Sequence, residues 1–177
     1  TENTEIDTLG TTIMENTRRF PVLLFDTEQS DYQLFKNVQR ILQRAELKSP
    51  PEWFKAFSLV GISRNERLSL ISKCVDHSFS QHQGIYMVVI DGIADLLDGV
   101  NEEESSVQLI EQLFQMASTF NTLVISVLHM TPSGMKLRGH LGSELQRKAA
   151  GILVVEKDLK NQNSLVKALK VRDGSPF

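Results

Sequence analysis

Three apolar runs in this chain end in polar side chains. Val22-Leu23-Leu24-Phe25 leads into Asp26-Thr27-Glu28, Ile85-Tyr86-Met87-Val88-Val89-Ile90 into Asp91-Gly92, and Thr122-Leu123-Val124-Ile125-Ser126-Val127-Leu128 into His129. Unbroken apolar runs suit strands covered on both faces, as in a parallel sheet flanked by helices. A charge is costly inside such a strand, so each polar group belongs where its strand emerges. Parallel strands align their carboxyl ends along one edge, and open α/β sheets bind ligands there. Asp26, Glu28, Asp91 and His129 are therefore expected to converge on one ligand or small substrate. For each taken alone, the plainer alternative is a strand that ends in a turn, or a histidine bonded to backbone.

The segments between these runs supply the helices that would hold the strands in place. Ser30 and Gln33 have the spacing of a capping box, and Tyr32, Phe35, Val38, Ile41, Leu42 and Ala45 stripe the helix that follows. Lys48-Ser49-Pro50-Pro51 reads as a loop and Phe54–Val60 as a strand. Ser63 and Glu66 open a second helix carrying Leu68, Ile71, Val75 and Phe79. The acidic Asn101-Glu102-Glu103-Glu104 suits the positive end of a helix dipole, and Val107, Ile110, Leu113, Phe114, Ala117 and Phe120 give that helix its buried face. A short basic helix is expected over Ser143–Ala150, and two strands, Ile152–Glu156 and Leu165–Val171, are expected to form a hairpin through Lys160-Asn161-Gln162-Asn163. At the start, Leu9, Ile13, Thr17 and Phe20 fall at helical spacing, and Pro21 ends that helix. Strand and helix alternate, which predicts one α/β domain over residues 1–177: a mainly parallel sheet, helices on both faces and a C-terminal hairpin.

Composition narrows the class. With 177 residues, 41% hydrophobic and 23% charged, the chain is long enough for a real core. No apolar run approaches the roughly 20 residues of a membrane span, and no signal-peptide pattern opens the sequence. Cys74 is the only cysteine, which excludes an internal disulfide and a cysteine-cluster metal site and fits a reducing, cytoplasmic setting. The net charge of −3 is unevenly spread: residues 1–130 carry 10 basic and 18 acidic side chains, residues 131–177 carry 9 and 4, so −8 faces +5. A basic final quarter on an acidic body suits a surface for phosphate or nucleic acid.

Phe25-Asp26-Thr27-Glu28-Gln29-Ser30, Val88-Val89-Ile90-Asp91 and Ile125-Ser126-Val127-Leu128-His129 resemble successive motifs of the RecA-like ATPase core, most nearly its ring-helicase branch of plasmid RepA-type and DnaB-type proteins. Lys136-Leu137-Arg138-Gly139-His140-Leu141-Gly142-Ser143-Glu144-Leu145 is similar to the stretch after the sensor strand in RepA-like ATPases of mobile elements. Lys170-Val171-Arg172-Asp173-Gly174 resembles the Lys-x-Arg-x-Gly near the end of ring-helicase motors. The resemblance covers about residues 9–174.

That resemblance implies roles. Asp91 would be the Walker B carboxylate, holding Mg²⁺ through its water shell, with Asp26 beside the nucleotide. Glu28 would polarise the water that attacks the γ-phosphate of ATP, and His129 would sense that phosphate. Lys170 and Arg172 would reach the nucleotide of a neighbouring subunit in a homo-oligomeric, hexamer-type ring. Lys136, Arg138, His140, Arg147 and Lys148 would face single-stranded DNA. One departure is large: no Gly-x-x-x-x-Gly-Lys-Ser/Thr phosphate loop occurs in the chain. In the family it precedes the helix leading into the Asp-x-Glu strand. The expectation is a piece of a longer motor, unable by itself to turn over ATP. The alternatives are a non-enzymatic DNA-binding or assembly module that kept the fold, and an unrelated doubly wound enzyme using Asp91, Glu28 and His129.

Overall fold

A computed structural model describes residues 14–99, 102–130, 139–158, 160 and 163–172. The chain divides into two compact units, one spanning Asn16–Leu145 and the other including Gln146–Phe177.

The first unit is an α/β sheet of four parallel strands: β1 (Val22–Asp26), β2 (Phe54–Ser58), β3 (Met87–Asp91) and β4 (Leu123–Val127), in the order β2-β1-β3-β4. The chain leaves β1 for β2 on one side and then crosses to β3 on the other. The order therefore reverses between β1 and β3, the place where doubly wound sheets open a ligand crevice. Register brings the polar strand ends together there, with Asp26 opposite Asp91.

Alternation assigns the side chains to two faces. Leu23, Phe25, Phe57, Val88, Ile90 and Val124 point to one face and join Ile71 and Val75 of α2 (Arg64–His82) and Leu109, Ile110, Leu113 and Met116 of α3 (Glu103–Phe120) in the main core. Phe25 stacks on Phe57 with ring centroids 5.1 Å apart. On the opposite face, Leu34, Val38 and Leu42 of α1 (Asp31–Arg44) pack on Leu24, Phe54 and Ala56. Helices thus lie on both faces, but α1 packs over β1 and β2 only. Among the described residues no helix covers that second face at β4: Leu123, Ile125 and Val127 are exposed, whereas their neighbours Val124 and Ser126 are half-buried. The expectation that every apolar strand is covered on both faces fails at β4 for this reason.

Two further expectations change. The buried stripe of α1 is Leu34-Val38-Leu42, while Tyr32, Phe35 and Ile41 are exposed; helical spacing fits both stripes, and the sheet selects the aliphatic one. The opening helix does not continue to Phe20. Asn16 accepts from Phe20 N at 2.9 Å and donates to Phe20 O at 2.7 Å, and Arg19 takes φ 53, so the chain turns before Pro21. Leu9 and Ile13 lie outside the described residues.

Caps form where the spacing placed them, with different chemistry. Ser30 accepts from Gln33 N at 3.4 Å, but the Gln33 side chain bonds Asn37 instead of returning to the cap. The Ser63 hydroxyl bonds the Glu66 carboxylate. Between α2 and the 3-10 turn Ile93–Leu96, buried Arg67 donates to Ile62 O and Asp95 O at 3.1 and 3.3 Å and pairs with the Asp95 carboxylate at 3.6 Å.

In the second unit, β5 (Gly151–Asp158) and β6 (Asn163–Val171) form the expected antiparallel hairpin. A register irregularity falls between Ile152 and Leu153. The helix before it, α4, spans Gly139–Lys148, beginning four residues earlier than the expected Ser143.

Candidate functional site at the β1–β3 carboxyl edge

Three strand ends build this site, and bonds to backbone groups fix those of β1 and β3. The Asp26 carboxylate is 2% exposed and accepts the amides of Glu28 at 3.0 Å and Gln29 at 2.8 Å. That is an Asx-type turn: the aspartate shapes the loop that carries Glu28. Gln29 accepts from Asn37 at 2.6 Å, tying the same loop to α1. Asp26 O also accepts Leu59 N at 2.7 Å, which anchors the end of β2 beside it.

Thr27 links β1 to β3. Its amide donates to Asp91 O at 3.0 Å, and its hydroxyl lies 3.0 Å from Asp91 O and 2.9 Å from Gly92 O, one proton shared between two carbonyls. Gly92 takes φ +94, which disfavours any residue with a Cβ, and a Cβ there would stand against Thr27 Oγ1 and 2.7 Å from Glu28 Cγ. The residue after Asp91 therefore has to be glycine for physical reasons. A second acid cannot sit beside Asp91 on β3, and the neighbouring carboxylate comes from the loop after β1 as Glu28.

Glu28 Oε2 lies 3.1 Å from His129 Nε2 across the edge, so side chains 101 positions apart in sequence meet. The His129 side chain is 77% exposed, and the pair is ionic when the imidazole is protonated. Burial raises the Asp91 carboxyl above its ordinary pKa; the Asp26 and Glu28 carboxylates push the same way, and His129 opposes them. A cation arriving at Asp91 would relieve that crowding of negative charge.

Among the described residues, no three or more His, Cys, Asp and Glu side chains are arranged to enclose a metal ion. The donor set instead suits a hard cation that needs one or two carboxylates and brings its remaining oxygens from water or phosphate.

The structure thus joins Asp26, Glu28, Asp91 and His129 in one place. Lys136 and Arg138 lie outside the described residues. His140 is exposed near the start of α4, and Arg147 and Lys148 form its basic last turn. In the second unit Lys170 donates to Gln146 O at 2.7 Å and Arg147 O at 3.2 Å, and Arg172 donates to Lys148 O at 3.2 Å. Both cations cap the carboxyl end of α4, where the helix dipole favours positive charge.

Sequence reasoning missed Thr27 and the steric demand at Gly92. The signal for Thr27 was its place between the two acids: a small hydroxyl residue at a strand end, facing a neighbouring strand of equal length. No protein-family model matches the chain, and no curated protein matches it. Among the described residues, no helix is long and apolar enough to cross a membrane.

Proposed function

We propose that this chain is part of the motor core of a DNA-associated ring ATPase, RecA-like and nearest to the RepA and DnaB type. Such a protein couples ATP hydrolysis to DNA unwinding or translocation in plasmid or mobile-element replication or mobilisation, in the cytoplasm. The observation that carries this reading is the meeting of Glu28 with His129 at 3.1 Å above the Asp26–Asp91 register pair, at the point where strand order reverses.

On this reading each residue has a defined task. Asp91 holds the water shell of Mg²⁺. Glu28 accepts a hydrogen bond from the attacking water and polarises it, while His129 fixes the orientation of the Glu28 carboxylate. Asp26 and Thr27 together position the loop that carries Glu28. Bound ATP·Mg²⁺ supplies the transferable phosphoryl group and much of the charge neutralisation. Lys170 and Arg172 would act on the nucleotide of a neighbouring copy, which requires them to release the α4 carbonyls they now hold. Lys136, Arg138, His140, Arg147 and Lys148 would meet the phosphates of single-stranded DNA.

The exposure of Leu123, Ile125 and Val127 on β4 supports a further strand–helix unit packing on this sheet, and a phosphate loop would belong to such a unit. The reading frame upstream of Thr1 tests this: a Gly-x-x-x-x-Gly-Lys-Ser/Thr loop followed by a helix selects the motor, and a complete frame without one defeats it. The lack of that loop within the 177 residues favours a second reading, a DNA-binding or assembly module without turnover.

A further inference from the structure

Away from the site just described, α1 and the free edge of β2 enclose a groove of about 520 Å³, lined by Asp31, Leu34, Phe35, Val38, Phe54 and Ala56, with Pro50 and Ser58 at its ends. Its floor is apolar, and Phe35 on its rim is 59% exposed. Trp53 O accepts from Val22 N, and Leu59 N donates to Asp26 O. In-plane polar groups alternate along a strand, so residues 53, 55, 57 and 59 bond β1, while the backbone groups of Phe54, Ala56 and Ser58 point away from the sheet. Those same three residues line the groove. Among the described residues β2 is an edge strand, and β2 itself places neither a charged side chain on the groove side nor a bulge there to blunt that edge, as edge strands usually require.

We propose that this groove receives an extended peptide, added antiparallel to β2, with apolar side chains at alternate positions and a cation at its amino-terminal end. The outward-pointing N–H and C=O groups of Ala56 would bond the added backbone, and alternate side chains would enter the apolar floor, as in strand-addition recognition. Charge sets the pattern. Among the described residues lining the groove Asp31 alone is charged, at the Ser58 end, so a Lys or Arg belongs there. Lys55 lies on the other face of β2, so an acidic side chain opposite it completes the match. The preferred occupant reads cation-x-apolar-acid-apolar.

Acetyl-Lys-Thr-Val-Glu-Val-amide is a suitable probe, titrated against the ¹⁵N-labelled chain to about millimolar concentration. Shifts at the Ala56 and Ser58 amides and along α1 are expected. Asp31→Lys should weaken the probe at least threefold and strengthen the same peptide with Glu in place of Lys. Ala56→Pro, tolerated on an edge because it removes only an outward N–H, should abolish the β2 shifts while leaving those of β3 residues unchanged. No shift at β2, shifts confined to β4, or binding indifferent to Asp31→Lys would overturn the proposal. Self-association without peptide that Ala56→Pro abolishes would also overturn it, by assigning the edge to a second copy.

Discussion

Gly92→Ala is the substitution from which the site geometry predicts most. Gly92 sits at φ +94, where a residue with a Cβ costs about 1–2 kcal/mol. The new methyl would also meet Thr27 Oγ1 and lie 2.7 Å from Glu28 Cγ, so the Thr27 hydroxyl has to leave its carbonyl partners. Displacing a buried hydroxyl costs about 1–3 kcal/mol. The sum is about 2–5 kcal/mol, which for a chain of this size lowers Tm by roughly 4–20 °C. The two contributions separate in a double-mutant cycle measured by urea denaturation. Thr27→Ala removes the atom that is struck hardest, so in that background Gly92→Ala should cost only the backbone share and the shift of Glu28, leaving a coupling of about 1–3 kcal/mol. If Gly92→Ala shifts stability by less than about 0.5 kcal/mol, or the two changes add, the proposed packing of Thr27 on Gly92 is wrong.

Asp91→Asn should raise stability at neutral pH. The folded protein holds the Asp91 proton more tightly than the unfolded chain, so the parent loses stability as pH rises through the raised pKa. The advantage of Asp91→Asn over the parent should therefore shrink towards pH 3.8 and below, as thermal melts at several pH values will show. Leu34→Ala should cost about 2–4 kcal/mol and Phe35→Ala under about 1 kcal/mol, the reverse of the order in side-chain size, because only Leu34 is buried; denaturation midpoints decide it. Arg67→Ala should cost about 1–3 kcal/mol through lost bonds to Ile62 O and Asp95, measured in the same way.

The fold was largely legible because its signals are local. Apolar runs marked the strands, and Ser30, Ser63 and the acids before α3 marked helix starts. Periodicity left the phase of α1 ambiguous: Tyr32-Phe35-Ile41 and Leu34-Val38-Leu42 both fit a helix, and only packing on Leu24 and Ala56 chooses between them. The end of the segment before Pro21 was misread because spacing cannot show a side chain, here Asn16, taking the backbone bonds a helix needs. The convergence of Glu28, Asp91 and His129 followed from parallel strand ends alone. The capping of α4 by Lys170 and Arg172 depends on how a hairpin returns to a helix end, and no short motif encodes that.

Turnover by the product of the whole reading frame, carrying Glu28→Gln, tests the central claim most directly. Phosphate release in the presence of Mg²⁺ and single-stranded DNA should fall to background while ATP binding stays within a few-fold of the parent, because on the proposed reading the substitution removes the group that polarises water and leaves Asp91 in place. Hydrolysis at the parent rate in the Glu28→Gln protein would contradict the assignment of this carboxyl edge as the catalytic centre.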